Sequence, residues 1–212
     1  MKTNQKSGGH GHEVSTSRKL VILGAIGPLL ALILLSIDIA ISPWFTWSKS
    51  ALSDLGVHQY SILFNGGIFI EGLLNIGFIY GLYRYFRLGR VNAVILLIAG
   101  ISLSFVGIFN EHFTGIHITL ALIYFILFPL GIIGFSMSSS RKGLGERGMG
   151  VILAIVGLAF IVVGILEDFS LVKTPLGLGF YELVEAVCLI VWSVEVSLRR
   201  VIRAGDLISL KQ

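Results

Sequence analysis

Of the twelve acidic side chains in the 212-residue chain, most lie within long apolar runs or at their ends. An ionisable group at the centre of a membrane helix costs ~2.5–3.5 kcal/mol by insertion scales, so such groups face the bundle interior and take a partner. Counting ~1.5 Å per helical residue, Asp38 lies near the outer end of a first helix and Asn65 near the outer end of a second, with Glu71 at mid-depth. Asn110, Glu111, His112 and His117 surround one short turn, Glu167 and Asp168 end a later helix, and Tyr181, Glu182 and Glu185 begin the last. The inner half holds only Asn75, Ser136 and Glu195.

Glu71 shares a helix face with Gly67 and Asn75 at i, i+4 and i+8, and Ser102 of the next helix is its expected hydrogen-bond partner. A carboxyl at that depth is either a hydrogen-bonded strut between helices or a proton acceptor, cation ligand or substrate contact. Glu182 and Glu185, three apart, are neighbours on one face and suit sharing a proton or holding a cation. The other reading is a solvated helix start, where the dipole favours acid. Glu195 precedes Arg199 by four, the order of a simple helical ion pair. His112 and His117 stand about 140° apart around a helix, so capping suits them better than chelation. Asp38, Asp54, Glu111 and Asp168 are at hand, but zinc needs three or four converging ligands, and no metal site is expected. Ser53, Asp54 and His58 are the ingredients of nucleophilic hydrolysis; a triad is defined by geometry, however, and a turn or N-cap is the better reading. Phosphate-binding glycine loops, His-Glu-x-x-His and dinucleotide fingerprints do not occur. The residues assign no catalytic role and no cofactor, and leave open whether the chain is an enzyme.

These groups need a scaffold that holds them in hydrocarbon. The chain is 55% apolar and 13% charged, against about 25% charged in soluble domains. The apolar excess falls into blocks near the ~20 residues that cross ~30 Å of hydrocarbon. The reading is an all-α polytopic membrane bundle of six transmembrane helices: Lys19–Ser42, Ser61–Phe86, Val91–Phe109, Ile116–Met137, Met149–Leu166 and Gly179–Leu198. Residues 1–17 read as a disordered tail in which His10 and His12 are too few to hold a metal, 18–198 as the membrane domain, and 199–212 as a basic tail. A cleaved signal peptide is disfavoured, because the first apolar stretch exceeds the usual h-region and Pro43 would follow the cut. The loop Pro43–Tyr60 opens on an aromatic anchor, Trp44-Phe45-Thr46-Trp47, and Ser50–Leu55 suits a short helix on the membrane surface. The lone Cys188 excludes an intrachain disulfide.

Fourteen of the sixteen Lys and Arg fall in the two tails and the second and fourth connections, leaving Lys49 and Lys173 on the other side. Cations resist translocation, so both termini are expected in the cytoplasm of a cell-membrane protein. The cations lie between apolar blocks rather than on one stripe, which excludes a nucleic-acid partner. Gly150, Gly157 and Gly164 recur every seven residues along the fifth helix, and Gly67, Gly77 and Gly81 line the second; small residues let helix backbones approach in lipid. Pro28 predicts a kink in the first helix, and Pro129 lies within the fourth.

Four segments together resemble a known family: Ala51-Leu52-Ser53-Asp54-Leu55-Gly56, then Leu63-Phe64-Asn65-Gly66-Gly67, then Gly107-Ile108-Phe109-Asn110-Glu111 with His117 after it, and Tyr181-Glu182-Leu183-Val184-Glu185-Ala186 leading to Trp192. They are similar to a prokaryotic multi-pass membrane family, domain of unknown function 998, over nearly the whole membrane region. The Ser-Asp-Leu-Gly segment is also distantly similar to Frag1/DRAM/Sfk1-type membrane proteins. The first resemblance implies a six-helix membrane fold and carries over no catalytic residues.

Three function classes follow. The first is an outward-facing acidic pocket for a membrane lipid or small cation, built from Asp38, Asp54, Asn65, Glu71, Asn110, Glu111, His117, Asp168, Glu182 and Glu185. The second is an assembly subunit that binds a membrane-protein partner through the glycine stripe of the fifth helix. The third is a small-solute or proton transporter, which the dry inner half disfavours.

Overall fold

The computed structural model describes residues 16–138 and 144–209. The expected amino-terminal tail with His10 and His12 lies almost wholly outside them, as does part of the fourth connection. Every described element is helical: α1 (Leu23–Ile41), α2 (Ser61–Tyr85), α3 (Arg90–Ile108), α4 (Thr114–Ser138), α5 (Leu144–Asp168) and α6 (Leu178–Ser209). Single 3-10 turns occupy Ser53–Val57 and Glu111–Phe113. Five stretches, Thr16–Ile41, Ser61–Tyr85, Arg90–Ile108, Glu111–Ser138 and Arg147–Asp168, are long and apolar enough to cross a membrane. The sixth helix is the longest, but Glu182, Glu185 and Glu195 interrupt its apolar character.

Each helix packs on the next, and α6 closes the ring onto α1. Large apolar side chains point outward around the ring, Ile33, Ile62, Leu73, Val94, Ile126 and Ile152 among them. Water would penalise that surface and hydrocarbon would not, which is the mark of a membrane-embedded bundle.

The glycine stripes set the close approaches. On α2, a Cβ at Gly67 would stand 3.3 Å from Leu34 Cδ1, at Gly77 2.6 Å from Leu23 Cδ1, and at Gly81 2.9 Å from the Val21 nitrogen. The stripe on α5 serves its own bundle: Gly157 faces Glu185 and Cys188, Gly164 faces Tyr181, and Gly150 faces Trp192 and Ser136. Below mid-depth, Trp192 meets Phe78, Phe128 and Phe135 edge-on, with centroids 5.9, 6.1 and 5.5 Å away. All four rings are buried, so an aromatic block ties α2, α4 and α6 together in the half of the bundle away from the Ser53–Val57 turn.

Two local details differ from expectation. Helix α1 runs through Pro28, and the turn that precedes it lies at Val21 and Ile22, where Gly24 and Ala25 donate to the i−3 carbonyls of Val21 and Ile22, at 3.2 and 2.9 Å. The basic segment from residue 199 continues α6 as helix to Ser209. Leaving hydrocarbon does not require a helix to stop, and the arginines, leucine and alanine of this segment favour helix. Glu195 and Arg199 pair as their spacing predicts. Finally, Ser50–Leu55 does not lie on the surface. Its 3-10 turn is Ser53–Val57, and Leu52 and Leu55 point inward onto Leu35, Phe45 and Phe64. Trp44 and Trp47 remain exposed, as an interfacial anchor requires.

Candidate functional site

The 3-10 turn is held by Asp54, which accepts from the Ala51 amide at 2.9 Å, reaching back three residues as the acid of a capping box does. Ser50 Oγ similarly accepts from the Thr46 amide at 3.2 Å. The folded segment is then fastened to three parts of the bundle. The Gly56 carbonyl accepts from Asn65 Nδ2 at 2.8 Å and from Asn110 Nδ2 at 3.3 Å. Ser53 Oγ donates to Glu111 Oε1 at 2.5 Å. The Leu52 amide donates to Glu182 Oε2 at 2.6 Å, and the Gly179 amide to the Ser50 carbonyl at 3.1 Å. A loop with this many anchors is a built roof. Gly56 permits it: a Cβ there would stand 2.6 Å from Asn65 Oδ1. Gly56→Ala is therefore expected to cost about 1–3 kcal/mol, seen as a lower melting temperature; unchanged melting would show that the roof is loosely seated.

Beneath the roof is a cavity of about 90 Å³ lined by residues of α1, α2, α3, α4 and α6. Its polar groups are Ser53, Glu71, His117, Tyr124 and Glu182, and the remainder is carbon, including Leu35, Phe64, Leu103, Val106 and Ile190. His117 is buried, and its Nδ1 lies 2.7 Å from the Phe109 carbonyl. A carbonyl only accepts, so Nδ1 carries a proton and Nε2 is the other nitrogen. No hydrogen bond links Glu71 to Ser102 among the described residues, although both are buried. The strut expected there is not made. Instead, Tyr124 stands within electrostatic reach of both Glu71 and Glu185.

The turn thus gathers Asn65, Asn110, Glu111 and Glu182, with His117 and Glu71 deeper in the same space. Asp54 spends its oxygen within the roof. Asp38 is buried beside it, accepting from Ser42 Oγ at 3.3 Å through one oxygen while the other has no partner. Glu182 and Glu185 share a helix face but diverge in surroundings. Glu185 is fully buried near Gly157, and neither of its oxygens has a hydrogen-bond partner. Asp168 does not line the cavity; it is exposed at the end of α5, within electrostatic reach of Glu182. The neighbouring Glu167 accepts from Thr174 Oγ1 at 2.8 Å, and that hydroxyl accepts from the Tyr181 phenol at 2.7 Å, which fastens the α5–α6 connection.

Ser53, Asp54 and His58 do not form a relay. Ser53 is committed to Glu111, Asp54 to Ala51, and the His58 ring stacks on Trp44 at 3.8 Å. His112 is exposed, its amide capped by Asn110 Oδ1 at 3.2 Å, while His117 turns inward. Among the described residues, no three His, Cys, Asp or Glu are grouped to hold a metal ion. The sequence reading missed Tyr124, a lone phenol in an apolar helix. Its signal was available: a buried tyrosine hydroxyl generally has a polar neighbour.

A family model described as Protein of unknown function (DUF998) matches residues 25–199. Comparison with curated proteins and with solved structures gives no match, so the distant likeness to Frag1/DRAM/Sfk1 proteins gains no support.

Proposed function

The chain belongs to the family described as Protein of unknown function (DUF998), and since that description names no activity, we propose from the geometry that it is a cell-membrane binding protein for an organic amine. In this reading six helices span the bilayer, both termini are cytoplasmic, and the roofed cavity faces outward. The orientation is supported by the fourteen cations that share one side. The ring closed by α6 supports the sixth span, because α6 packs against both α5 and α1.

One observation carries the ligand class: the cavity combines a mostly carbon wall with two glutamates, a serine and a tyrosine, and His117 is its sole basic residue. Carboxylates and hydroxyls accept hydrogen bonds from an ammonium group, while the carbon wall takes its alkyl portion. A phosphate would meet Glu71 and Glu182 and be repelled. A bare metal ion prefers a shell of oxygens, and the wall is chiefly carbon. The ligand is a free small amine or the amine head of a lipid, and the same chemistry serves both.

The other readings have less support. An assembly subunit was suggested by the glycine stripe of α5, which α6 and α4 now cover. A transporter needs a polar path through the inner half, where the block around Trp192 lies.

The test is thermal stability of purified protein against a series of alkylamines and against phosphatidylethanolamine in nanodiscs. At about 100 Kd, linkage gives ~2.7 kcal/mol, several degrees of melting. Glu71→Gln and Glu185→Gln are expected to fold; Glu71→Gln removes the shift, and Glu185→Gln weakens it through Tyr124. If neither amine source raises the melting temperature, the reading fails.

A further inference from the structure

At the other end of the bundle, α2 and α3 flank an open groove of about 350 Å³, several times the roofed cavity. Its walls are Ile76, Tyr80 and Tyr83 on α2 and Arg90, Val94 and Leu97 on α3. Tyr80 and Val94 are about half exposed, at 51% and 53%, so the groove opens on the surface that faces hydrocarbon. Arg90 stands at the first turn of α3 and Leu97 two turns along it, so the cation is at one end and the carbon walls run from it towards mid-depth. We infer that this groove is a binding site for an anionic phospholipid of the inner leaflet, its phosphate on Arg90 and one acyl chain lying along Ile76, Val94 and Leu97.

The charge argument is specific to this turn. Arg84, Arg87 and Arg90 recur every three residues, and no acidic residue occurs anywhere between Glu71 and Glu111. The first turn of α3 likewise holds no acid, and no side chain caps it, so its amides add to the positive field. A guanidinium binds a phosphodiester through paired hydrogen bonds. The two tyrosines are suited to the headgroup level, with rings against carbon and hydroxyls towards water. Basic clefts between helices on the cytoplasmic side are where anionic headgroups are recognised in general. A zwitterionic lipid would fill the same carbon walls but place its own cation among the arginines. The site is separate from the amine cavity in position and in charge preference, though its leaflet rests on the proposed orientation.

Native mass spectrometry of protein released from nanodiscs with equal phosphatidylglycerol and phosphatidylcholine tests it. Wild type is expected to retain phosphatidylglycerol over phosphatidylcholine by roughly tenfold, and Arg90→Gln to reduce that preference to near parity. Val94→Trp, which fills the groove at an exposed position, should lower retention of both lipids. Ile152→Trp, equally lipid-facing on α5, should change neither. Equal retention by wild type, an unaffected Arg90→Gln, or the same loss from Ile152→Trp would each overturn the site in favour of a general lipid annulus. Displacement of the lipid by inorganic phosphate alone would assign it to a soluble anion instead. Amine-induced melting shifts should persist in Arg90→Gln, which separates failure here from failure of the cavity reading.

Discussion

Gly107→Val is expected to yield no monodisperse protein, and Gly107→Ala to melt roughly 10 °C below the parent. Gly107 of α3 lies against the backbone of α2: a Cβ there would stand 2.5 Å from the Asn65 carbonyl oxygen, 2.6 Å from the Phe69 nitrogen and 2.9 Å from Phe69 Cβ. Gly72 of α2 is its counterpart, pressed on Ser104 of α3, with Ser104 Cα 2.7 Å from the same imagined atom and the Ser104 nitrogen nearer still. The two helices therefore meet backbone to backbone at two points, one glycine contributed by each. A side chain in the way can rotate aside, but a helix backbone moves only if the whole helix moves. Overpacking usually costs about 1–3 kcal/mol; with backbone as the obstacle the upper figure is the appropriate one, and ~3 kcal/mol corresponds to roughly 6–12 °C in a domain of this size. Displacing α3 would also withdraw Leu103 and Val106 from the cavity wall. Gly115→Ala is the control, since nothing lies within 4 Å of its imagined Cβ. Thermal melting of the three variants decides it, and a Gly107→Val protein that melts with the parent would mean that α2 and α3 are not held this close.

The sequence exposed the repeating glycines and hid these two. Gly150, Gly157 and Gly164 form a stripe by their period alone, and the structure uses them as helix contacts. Gly72 belongs to no such period, and Gly107 shares the seven-residue spacing only with Gly100, a single pair too short to read as a stripe. The same limit governs the site. Burial of Asp38, Glu71, His117 and Glu185 followed from hydrocarbon's intolerance of charge. Where each one turns did not follow, because partners come from distant parts of the chain: Leu52 and Glu182 are 130 residues apart, Ser53 and Glu111 58 apart. The place of Asp168, outside the cavity lining but within electrostatic reach of Glu182, did not follow for a related reason. A helix end can point into a bundle or away from it at equal sequence cost, and the α5–α6 connection takes Glu167 rather than Asp168 as its anchor. The roof shows the ambiguity most clearly. Leu52 and Leu55 give a short apolar face, which satisfies a bilayer surface or a protein interior equally well. Only the hydrogen bonds to Asn65, Asn110, Glu111 and Glu182 choose the interior.

Glu182→Ala frees the roof. This carboxylate accepts the Leu52 amide at 2.6 Å and also lines the cavity below. A hydrogen bond to such a group contributes about 1.5–3 kcal/mol, so its loss should raise hydrogen exchange across residues 50–57 by roughly 10- to 150-fold. Glu182→Gln keeps an acceptor oxygen in the same place and should restore much of the protection. Glu185→Gln, one turn deeper and fastened to nothing in the roof, should leave exchange there unchanged. The double duty of Glu182 has a consequence for binding. An ammonium group that takes the Glu182 oxygen competes with the Leu52 amide, so a saturating alkylamine should itself increase exchange at Leu52 in the wild-type protein while it raises the melting temperature. Opposite movement of local protection and global stability is not produced by a roof that merely sits above an unrelated cavity. Exchange at residues 50–57 that is the same in Glu182→Ala as in the parent would leave the roof held by its other anchors and remove this coupling.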